Sequence, residues 1–169
     1  MSAIIAYFSR NGENYVSGAI RDLDVGNTEI VAKSIHDLVG GTLFKLEPLQ
    51  EYSRDYNECI DQAQIDQKRD ARPELKAYPE NMDEFDTVYL GFPNYWGTMP
   101  MCVFTFLERF DFSGKIIKPF CTHEGSGFGN SIADIRRLCP KADVRFGFEI
   151  RGAKVKTAKN NLRKWCNQL

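Results

Sequence analysis

Short apolar runs alternate with amphipathic stretches along the chain. Residues 3–8 (AIIAYF) and 86–92 (DTVYLGF) are apolar almost throughout, which is typical of strands covered on both faces. Residues 27–41 (NTEIVAKSIHDLVGG) instead place apolar side chains at helical spacing, with Asn27 or Thr28 as the N-cap and two glycines as the stop. The pattern therefore predicts strands of a buried sheet joined by an amphipathic helix.

The same alternation continues to the end of the chain. Two further helices on either side of the second apolar run are predicted at 55–70 (DYNECIDQAQIDQKRD) and 101–110 (MCVFTFLERF), the latter started by Pro100. The other segments are strands at 42–48, 113–124 and 142–152, and helices at 129–140 and 155–169. Strands and helices thus alternate about five times, which predicts an α/β fold with a parallel sheet between two helical layers. We expect residues 1–169 to form one domain.

Composition and charge narrow the possible functions. No apolar run approaches the roughly 18 residues of a membrane span, and the first residues resemble a strand more than a signal peptide. The net charge of −1 gives no reason to expect binding to nucleic acid or to a membrane. The five cysteines form no C-x-x-C and fit reduced cytoplasmic thiols better than disulfides. With only His36 and His123, no metal site is expected.

Three polar, glycine-bearing loops each follow a predicted strand. They span residues 9–28 (SRNGENYVSGAIRDLDVGNT), 93–100 (PNYWGTMP) and 122–130 (THEGSGFGN). In a parallel sheet the carboxyl ends of the strands share one edge, and ligands bind there where the strand order reverses. We therefore expect these three loops to converge on one site.

Each loop has a ligand-binding and a purely structural interpretation. Ser9 and the Gly26–Thr28 helix start could hold a phosphate, or form an ordinary capping turn. Tyr95 and Trp96 could stack on a flat ring that Gly97 lets approach, or pack on the sheet edge. The glycines of the third loop could offer backbone amides or give a flexible connection. Together the loops favour a flat heterocycle carrying one phosphate.

Three stretches carry a resemblance to a known family: AYFSR…GNTEIVAKSI, LGFPNYWGTMPMCVFTFLE and PFCTHEGSGFGNSIADIRRLCP. In order and spacing they resemble the flavodoxin-like family, especially its small bacterial FMN-binding proteins. The resemblance spans nearly the whole chain. It implies a three-layer sandwich with a five-stranded parallel sheet of order 2-1-3-4-5, and FMN bound noncovalently.

The resemblance also implies which residues contact FMN. The phosphate would lie against Ser9, Asn27 and Thr28, with Arg10 nearby. The isoalloxazine would be flanked by Pro93, Asn94, Tyr95, Trp96 and Gly97, with Trp96 as the inner stacking ring. The pyrimidine side would be lined by Thr122, His123, Glu124, Gly125 and Gly127. The Gly97 carbonyl would turn to accept a hydrogen bond from flavin N5–H, and His123 would stabilise the N1/O2 edge unless it is an ordinary loop histidine.

Two departures from the family pattern bear on function. Residues 11–25 interrupt the phosphate loop, and they form either a lid or partner-contact flap beside the flavin, with GENY nearest the phosphate, or a structural hairpin with no ligand contact. The near-neutral charge differs from the strong acidity of flavodoxins that replace ferredoxin. We expect flavodoxin-type electron transfer with a redox partner protein or small acceptor. An NAD(P)H-dependent FMN quinone reductase, a non-redox binding module and a homodimer stay open.

Overall fold

The computed structural model describes residues 2–168 and has an α/β architecture, as predicted. The strands are β1 (Ala3–Tyr7), β2 (Gly12–Val16), β3 (Ala19–Leu23), β4 (Thr42–Lys45), β5 (Thr87–Pro93), β6 (Ile116–His123), β7 (Asp143–Val144) and β8 (Phe148–Arg151). The α-helices are α1 (Asn27–Val39), α2 (Tyr56–Lys68), α3 (Met101–Arg109), α4 (Ser131–Leu138) and α5 (Lys159–Cys166). Two 3₁₀ helices span Met82–Glu84 and Gly152–Thr157.

The main sheet is parallel, with the order β4-β1-β5-β6-β7, and β8 pairs with β6 beyond β7. This order agrees with the predicted 2-1-3-4-5 arrangement, but the sheet has six strands and the prediction of five was wrong. The difference lies at the outer edge, where one predicted strand over 142–152 is two short strands. β6 pairs Ile117 with Val144 and then Phe120 with Phe148, so the edge carries one extra residue between the two registers.

Pro119 explains the break in the edge strand. It lies in β6 between the two registers, and proline has no backbone N–H to donate to a neighbouring strand. The extra residue on the edge forms a bulge, and Phe146 projects from it with 83% of its surface exposed.

Two apolar cores cover the two faces of the sheet. On one face α1 and α5 pack through Val31, Ile35, Leu162 and Trp165. On the other face α3 and α4 pack through Val103, Phe106 and Ile135, among others. Because both faces are covered, the central strands are apolar on both sides, as their continuous apolar runs predicted.

The insertion in the phosphate loop is a separate β-hairpin. β2 and β3 pair antiparallel, with Val16 opposite Ala19, around a two-residue turn at Ser17 and Gly18. The hairpin leaves the sheet directly after β1 and returns at the start of α1. This position places it beside the carboxyl edge of the strands.

Candidate cofactor site

The three glycine-bearing loops meet at the carboxyl edge of the sheet, as the sequence predicted, around a cavity of about 400 Å³. The β2–β3 hairpin, which lies within the first loop, and α2, which lies outside all three loops, complete its wall. The lining residues are Ser9, Arg10, Asn14, Tyr15, Asn27, Thr28, Tyr56, Cys59, Ile60, Ala63, Pro93, Asn94, Tyr95, Trp96, Gly97, Thr122, His123, Glu124 and Ser126. Of the predicted site residues, Gly125 and Gly127 lie in the same loop but do not line the cavity.

The start of α1 forms a donor-rich cradle at one end of the cavity. Gly26 is the N-cap residue and has no side chain that could cap the helix. Ser9, which follows β1, provides the capping side chain instead. Its Oγ accepts a hydrogen bond from the Glu29 N–H at 3.1 Å, as an N-cap side chain does. The backbone N–H groups of Asn27 and Thr28 have no partner within residues 2–168. Free N–H groups at the positive end of a helix suit a phosphate.

Close packing explains the glycine at position 26. A Cβ atom there would overlap the Ser9 Oγ and the Arg10 carbonyl oxygen. The residue has an extended backbone with φ −64°, so the requirement is space rather than backbone conformation. Gly26 therefore lets the two ends of the phosphate loop touch although fifteen inserted residues separate them in sequence.

A hydroxyl pair ties the first loop to the third. Thr28 Oγ1 and Thr122 Oγ1 lie 2.7 Å apart, and both side chains are buried. The pair joins the start of α1 to the end of β6, which are the predicted phosphate and pyrimidine sides of the cavity.

Arg10 lines the cavity, and its guanidinium is engaged by the protein. Nε donates to the Glu13 carbonyl at 3.0 Å, Nη1 to the Ser53 carbonyl at 2.7 Å, and Nη2 to the Arg54 carbonyl at 2.8 Å. The side chain therefore fastens the hairpin to the segment that leads into α2. Its predicted role beside the phosphate stays a prediction.

The two adjacent rings of the second loop have different environments. Tyr95 is half-buried and packs edge-on against Phe8, with ring centroids 5.7 Å apart, and burial of its hydroxyl raises its pKa well above the usual value. Trp96 leaves 47% of its surface exposed, and its Nε1 donates to the Ile60 carbonyl at 2.8 Å. Tyr95 thus belongs partly to the core, whereas the Trp96 indole is held at the cavity by α2.

The backbone turns sharply at Trp96 and Gly97. Their φ values are 54° and 84°, and Tyr95 and Thr98 exchange backbone hydrogen bonds at 2.8 and 3.3 Å. Two consecutive positive φ values in a two-residue turn are the type I′ arrangement, which favours glycine at the second position. Trp96 adopts a positive φ, which is uncommon for a residue other than glycine. Gln67 holds it in place, since its Nε2 donates to the Trp96 carbonyl at 3.1 Å.

Asn94 links the turn to the third loop. Its Oδ1 accepts from the Gly97 N–H at 2.9 Å, and its Nδ2 donates to the Gly127 carbonyl at 2.8 Å. The Gly97 carbonyl accepts from the Asn130 N–H at 2.7 Å. A rotation of the Gly97 carbonyl towards a flavin, as the resemblance implies, would have to break this last hydrogen bond.

His123 and Glu124 face the cavity and are both hydrogen-bonded. His123 Nδ1 accepts from the Gly125 N–H at 2.8 Å, so the neutral ring carries its proton on Nε2. Glu124 Oε2 accepts from the Ser17 N–H at 3.0 Å, and this contact joins the hairpin tip to the third loop. Gly125 and Gly127 shape this loop behind the cavity, against Arg151 and Glu149.

The wall built by α2 was missed by the sequence analysis, whereas the hairpin residues of the wall, Asn14 and Tyr15, lie in the segment for which a flap was one prediction. Tyr56, Cys59, Ile60 and Ala63 lie at positions i, i+3, i+4 and i+7, which is a narrow apolar stripe on an otherwise polar helix. The Tyr56 ring stacks on that of Tyr15 from β2, with centroids 6.1 Å apart and planes 27° apart. The stripe spacing was the available sequence clue, but nothing local says that it faces a cavity.

Other chemistry is scarce around the cavity. Burial raises the pKa of the Cys59 thiol, so this residue supplies no thiolate. Within residues 2–168 no group of three or more His, Cys, Asp or Glu could hold a metal ion. None of the helices in that range is long and apolar enough to cross a membrane.

The flavodoxin family profile matches residues 3–169, so this chain belongs to the flavodoxin family. Among solved structures, a protein from Bacteroides uniformis assigned to the flavoproteins is 24% identical, with a TM-score of 0.77 over 99% of this chain and 98% of the other. One from Bacteroides eggerthii, also assigned to the flavoproteins, is 25% identical, with a TM-score of 0.72 over 95% and 97%. A flavoprotein in complex with FMN from Lactobacillus acidophilus is 17% identical, with a TM-score of 0.66 over 92% and 97%. No functionally curated protein matches the sequence.

Family membership confirms the predicted flavodoxin-like fold and supports FMN as the cofactor. The residues of the cavity fit such a group. Free N–H groups at the start of α1 suit its phosphate, and the Trp96 turn with the apolar stripe of α2 suits a flat ring.

Proposed function

We propose that this protein is a flavodoxin-type electron-transfer protein that uses FMN. One observation carries the proposal: the donor-rich start of α1 and the exposed face of Trp96 open into the same cavity. Bound FMN would supply the redox chemistry, and the protein would position it and tune it.

The chain's residues divide this task between them. Ser9 accepts from Glu29 through Oγ, which leaves its own hydroxyl hydrogen to donate to a phosphate oxygen beside Asn27 and Thr28. The Trp96 indole would lie against the ring, held in place by its hydrogen bond to α2. His123 would offer its Nε2–H to the pyrimidine edge, because Nδ1 is occupied by Gly125.

Absorbance spectra under anaerobic conditions test this function first. We expect the FMN-loaded protein to keep its flavin bands when NADH or NADPH is added and to lose them with dithionite. Rapid bleaching by either nucleotide would contradict a carrier role.

A Trp96→Leu variant should weaken FMN binding about tenfold or more, since base–ring stacking is worth about 1–3 kcal/mol, and Trp96→Phe should recover part of it. A protein that takes up no FMN would defeat the flavin function itself.

A second candidate is an FMN-dependent reductase that takes hydride from NAD(P)H and reduces a quinone or similar small acceptor. The stacked Tyr15 and Tyr56 rings favour it, because they line the cavity and leave Tyr15 44% exposed for a planar molecule. In that case Tyr15→Ala should lower kcat/KM for the acceptor about tenfold while FMN affinity stays the same. Ile20→Ala is the matched control, because Ile20 is exposed opposite Tyr15 in the hairpin and does not line the cavity.

A further inference from the structure

The net charge is near neutral, but acidic and basic residues are distributed unevenly along the chain. Residues 136–168 carry ten Lys and Arg against two Asp and Glu, whereas residues 1–135 carry twelve against twenty-one. The last part of the chain is therefore a basic segment attached to an acidic body. In the fold this segment supplies the end of α4, the outer strands β7 and β8, and α5.

Most cations of this segment have no carboxylate partner. Arg137 pairs with Asp134 at 3.1 Å and Arg145 with Asp143 at 2.8 Å. The remaining eight make no ion pair with any residue in 2–168: Arg136, Lys141, Arg151, Lys154, Lys156, Lys159, Arg163 and Lys164. Unpaired like charges held on one part of a surface create a positive field that attracts an acidic partner.

An apolar groove runs along the sheet edge inside this segment. It lies between α4 and α5 beside the strand bulge, and we call it the edge groove; its lining residues are Phe128, Ile132, Arg136, Arg145, Phe146, Gly147, Phe148, Glu149, Asn161, Lys164, Trp165 and Gln168. Phe146 stands at the groove with 83% of its surface exposed. Arg136 and Lys164 are exposed cations on the two helices that border it.

The bulge holds Phe146 in this exposed position. Its carbonyl accepts from Trp165 Nε1 at 2.8 Å, and Trp165 is a residue of α5 that is buried in the core. The backbone is thus fixed to the core while the ring points away from it. An exposed aromatic ring on a fixed backbone, rimmed by cations, has the composition of a protein-binding hot spot.

The edge groove lies next to the cofactor cavity. A single loop borders both, since Ser126 lines the cavity and Phe128, two residues later, lines the groove. Glu149 of the groove also packs against Gly127 of that loop. A protein docked in the groove would approach the cavity across one loop.

We propose that the edge groove docks an acidic redox protein. The partner inserts an apolar side chain beside Phe146 and places carboxylates against Arg136 and Lys164. This rests on the proposed electron-transfer function, because the partner exchanges electrons with FMN bound on the other side of the loop. An apolar groove beneath the cations favours a protein over nucleic acid or a lipid surface, for which charge alone would suffice.

The test measures docking and electron transfer separately. A reduced plant-type ferredoxin serves as the acidic probe and cytochrome c as the basic one. Binding is measured by calorimetry with the FMN-free and the FMN-loaded protein, and electron transfer by stopped flow with the loaded protein. Arg136→Glu/Lys164→Glu reverses the rim charges, and Phe146→Ser removes the ring. Lys68→Glu/Arg109→Glu is the control, with the same charge change on exposed cations outside the groove.

We expect ferredoxin to bind more tightly than cytochrome c, and more weakly as salt rises from 20 to 300 mM. The rim variant should lose about tenfold or more in affinity at low salt, and Phe146→Ser about tenfold at both salt concentrations, whereas the control changes less than about twofold. Equal binding by all variants would overturn the proposal. So would tighter binding to duplex DNA or to vesicles containing phosphatidylserine, or a Phe146-dependent dimer in sedimentation.

Failure of the two proposals can be told apart. If the protein takes up no FMN, the electron-transfer function fails, and calorimetry with the FMN-free protein still shows whether the groove binds an acidic protein. If FMN binds and dithionite reduces it, but the rim and Phe146 variants react with ferredoxin at the wild-type rate, only the docking surface is wrong.

Discussion

At the residue scale, the neighbouring aromatic side chains Tyr95 and Trp96 show how one turn serves two purposes. Tyr95 packs against Phe8 of the core, whereas Trp96 faces the cavity and is fixed to α2 by its indole N–H. The two rings point in different directions because the chain makes a type I′ turn at Trp96 and Gly97. A half-buried ring that packs on the core, next to an exposed ring, gives a ligand a rigid surface.

Gly26 is the residue on which the predicted phosphate site depends most directly. Because a Cβ atom at this position would overlap Ser9 and the Arg10 backbone, Gly26→Ala should separate the two ends of the loop. We expect FMN affinity to fall at least about tenfold, and the free energy of unfolding to fall by about 1–3 kcal/mol. Fluorescence titration with FMN and urea unfolding measure the two effects.

Gly18→Asn is the control for that change. Gly18 lies at the hairpin tip with open space around it, and asparagine tolerates its positive φ of 83°. If Gly26→Ala binds FMN as tightly as this control, the close approach at Gly26 does not shape the cradle.

Asn94 positions both loops that flank the predicted ring site. Asn94→Ala removes the hydrogen bonds to Gly97 and Gly127 together, and we expect FMN affinity to fall about tenfold while the FMN-free protein stays folded. Asn94→Asp keeps the acceptor for Gly97 and loses only the donor, so it should fall between wild type and Asn94→Ala. The two one-electron potentials of the bound flavin should shift in Asn94→Ala, which a purely structural residue would not cause.

At the element scale, the hairpin and α2 turn an open sheet edge into a walled cavity. The hairpin is attached at its base by Arg10 and at its tip by the Ser17–Glu124 hydrogen bond. Its inner residue Tyr15 stacks on Tyr56 of α2. The insertion is thus a hairpin whose residues Asn14 and Tyr15 line the cavity, and its predicted role as a flap beside the flavin stays a prediction.

Arg10 should decide whether the hairpin stays attached. Arg10→Met leaves three backbone carbonyls without their donor, and we expect proteolysis within residues 11–25 to become about tenfold faster. Arg21→Met is the comparison, since Arg21 makes one contact, to the Val16 carbonyl at 3.2 Å. Equal cleavage rates in the two variants would show that Arg10 does not hold the hairpin.

At the scale of the whole molecule, the distribution of charge matters more than its sum. The net charge of −1 gave no reason to expect binding to nucleic acid or to a membrane, yet the chain consists of an acidic body and a basic last segment. Strong overall acidity is absent, which was one reason to doubt the carrier role. The fold brings two of the unpaired cations, Arg136 and Lys164, to the edge groove, so a partner steered there by charge would be acidic.

Chromatography offers a direct check of this charge separation. We expect the protein to be retained on a cation exchanger at pH 7 and low salt, although its calculated pI is about 6.1. Lys154→Glu/Lys156→Glu/Lys159→Glu should abolish retention. Recovery of the wild-type protein in the flow-through of the cation exchanger would mean that the cations do not act as one surface.

The element order, the parallel sheet and the convergence of three loops were predictable from the sequence. Apolar periodicity and the placement of glycine and proline are local properties, and chain connectivity puts the ends of parallel strands on one edge. The helix start at Gly26–Thr28 and the loop that carries Trp96 were located in this way, and their contacts with FMN stay predictions. The sixth strand was not predicted. Pro119 lies in β6 and interrupts the edge strand, which is its neighbour in space and not in sequence.

Only the tertiary structure decided which side chains share the cavity. The apolar stripe of α2 is distant in sequence from the three strand-end loops, and its packing against the hairpin residue Tyr15 depends on contacts such as those of Arg10 with Ser53 and Arg54. Likewise, the basic segment becomes a surface only when α4, the edge strands and α5 meet. Local patterns determine which elements form, whereas long-range packing determines which faces meet, and the function of this protein depends on both.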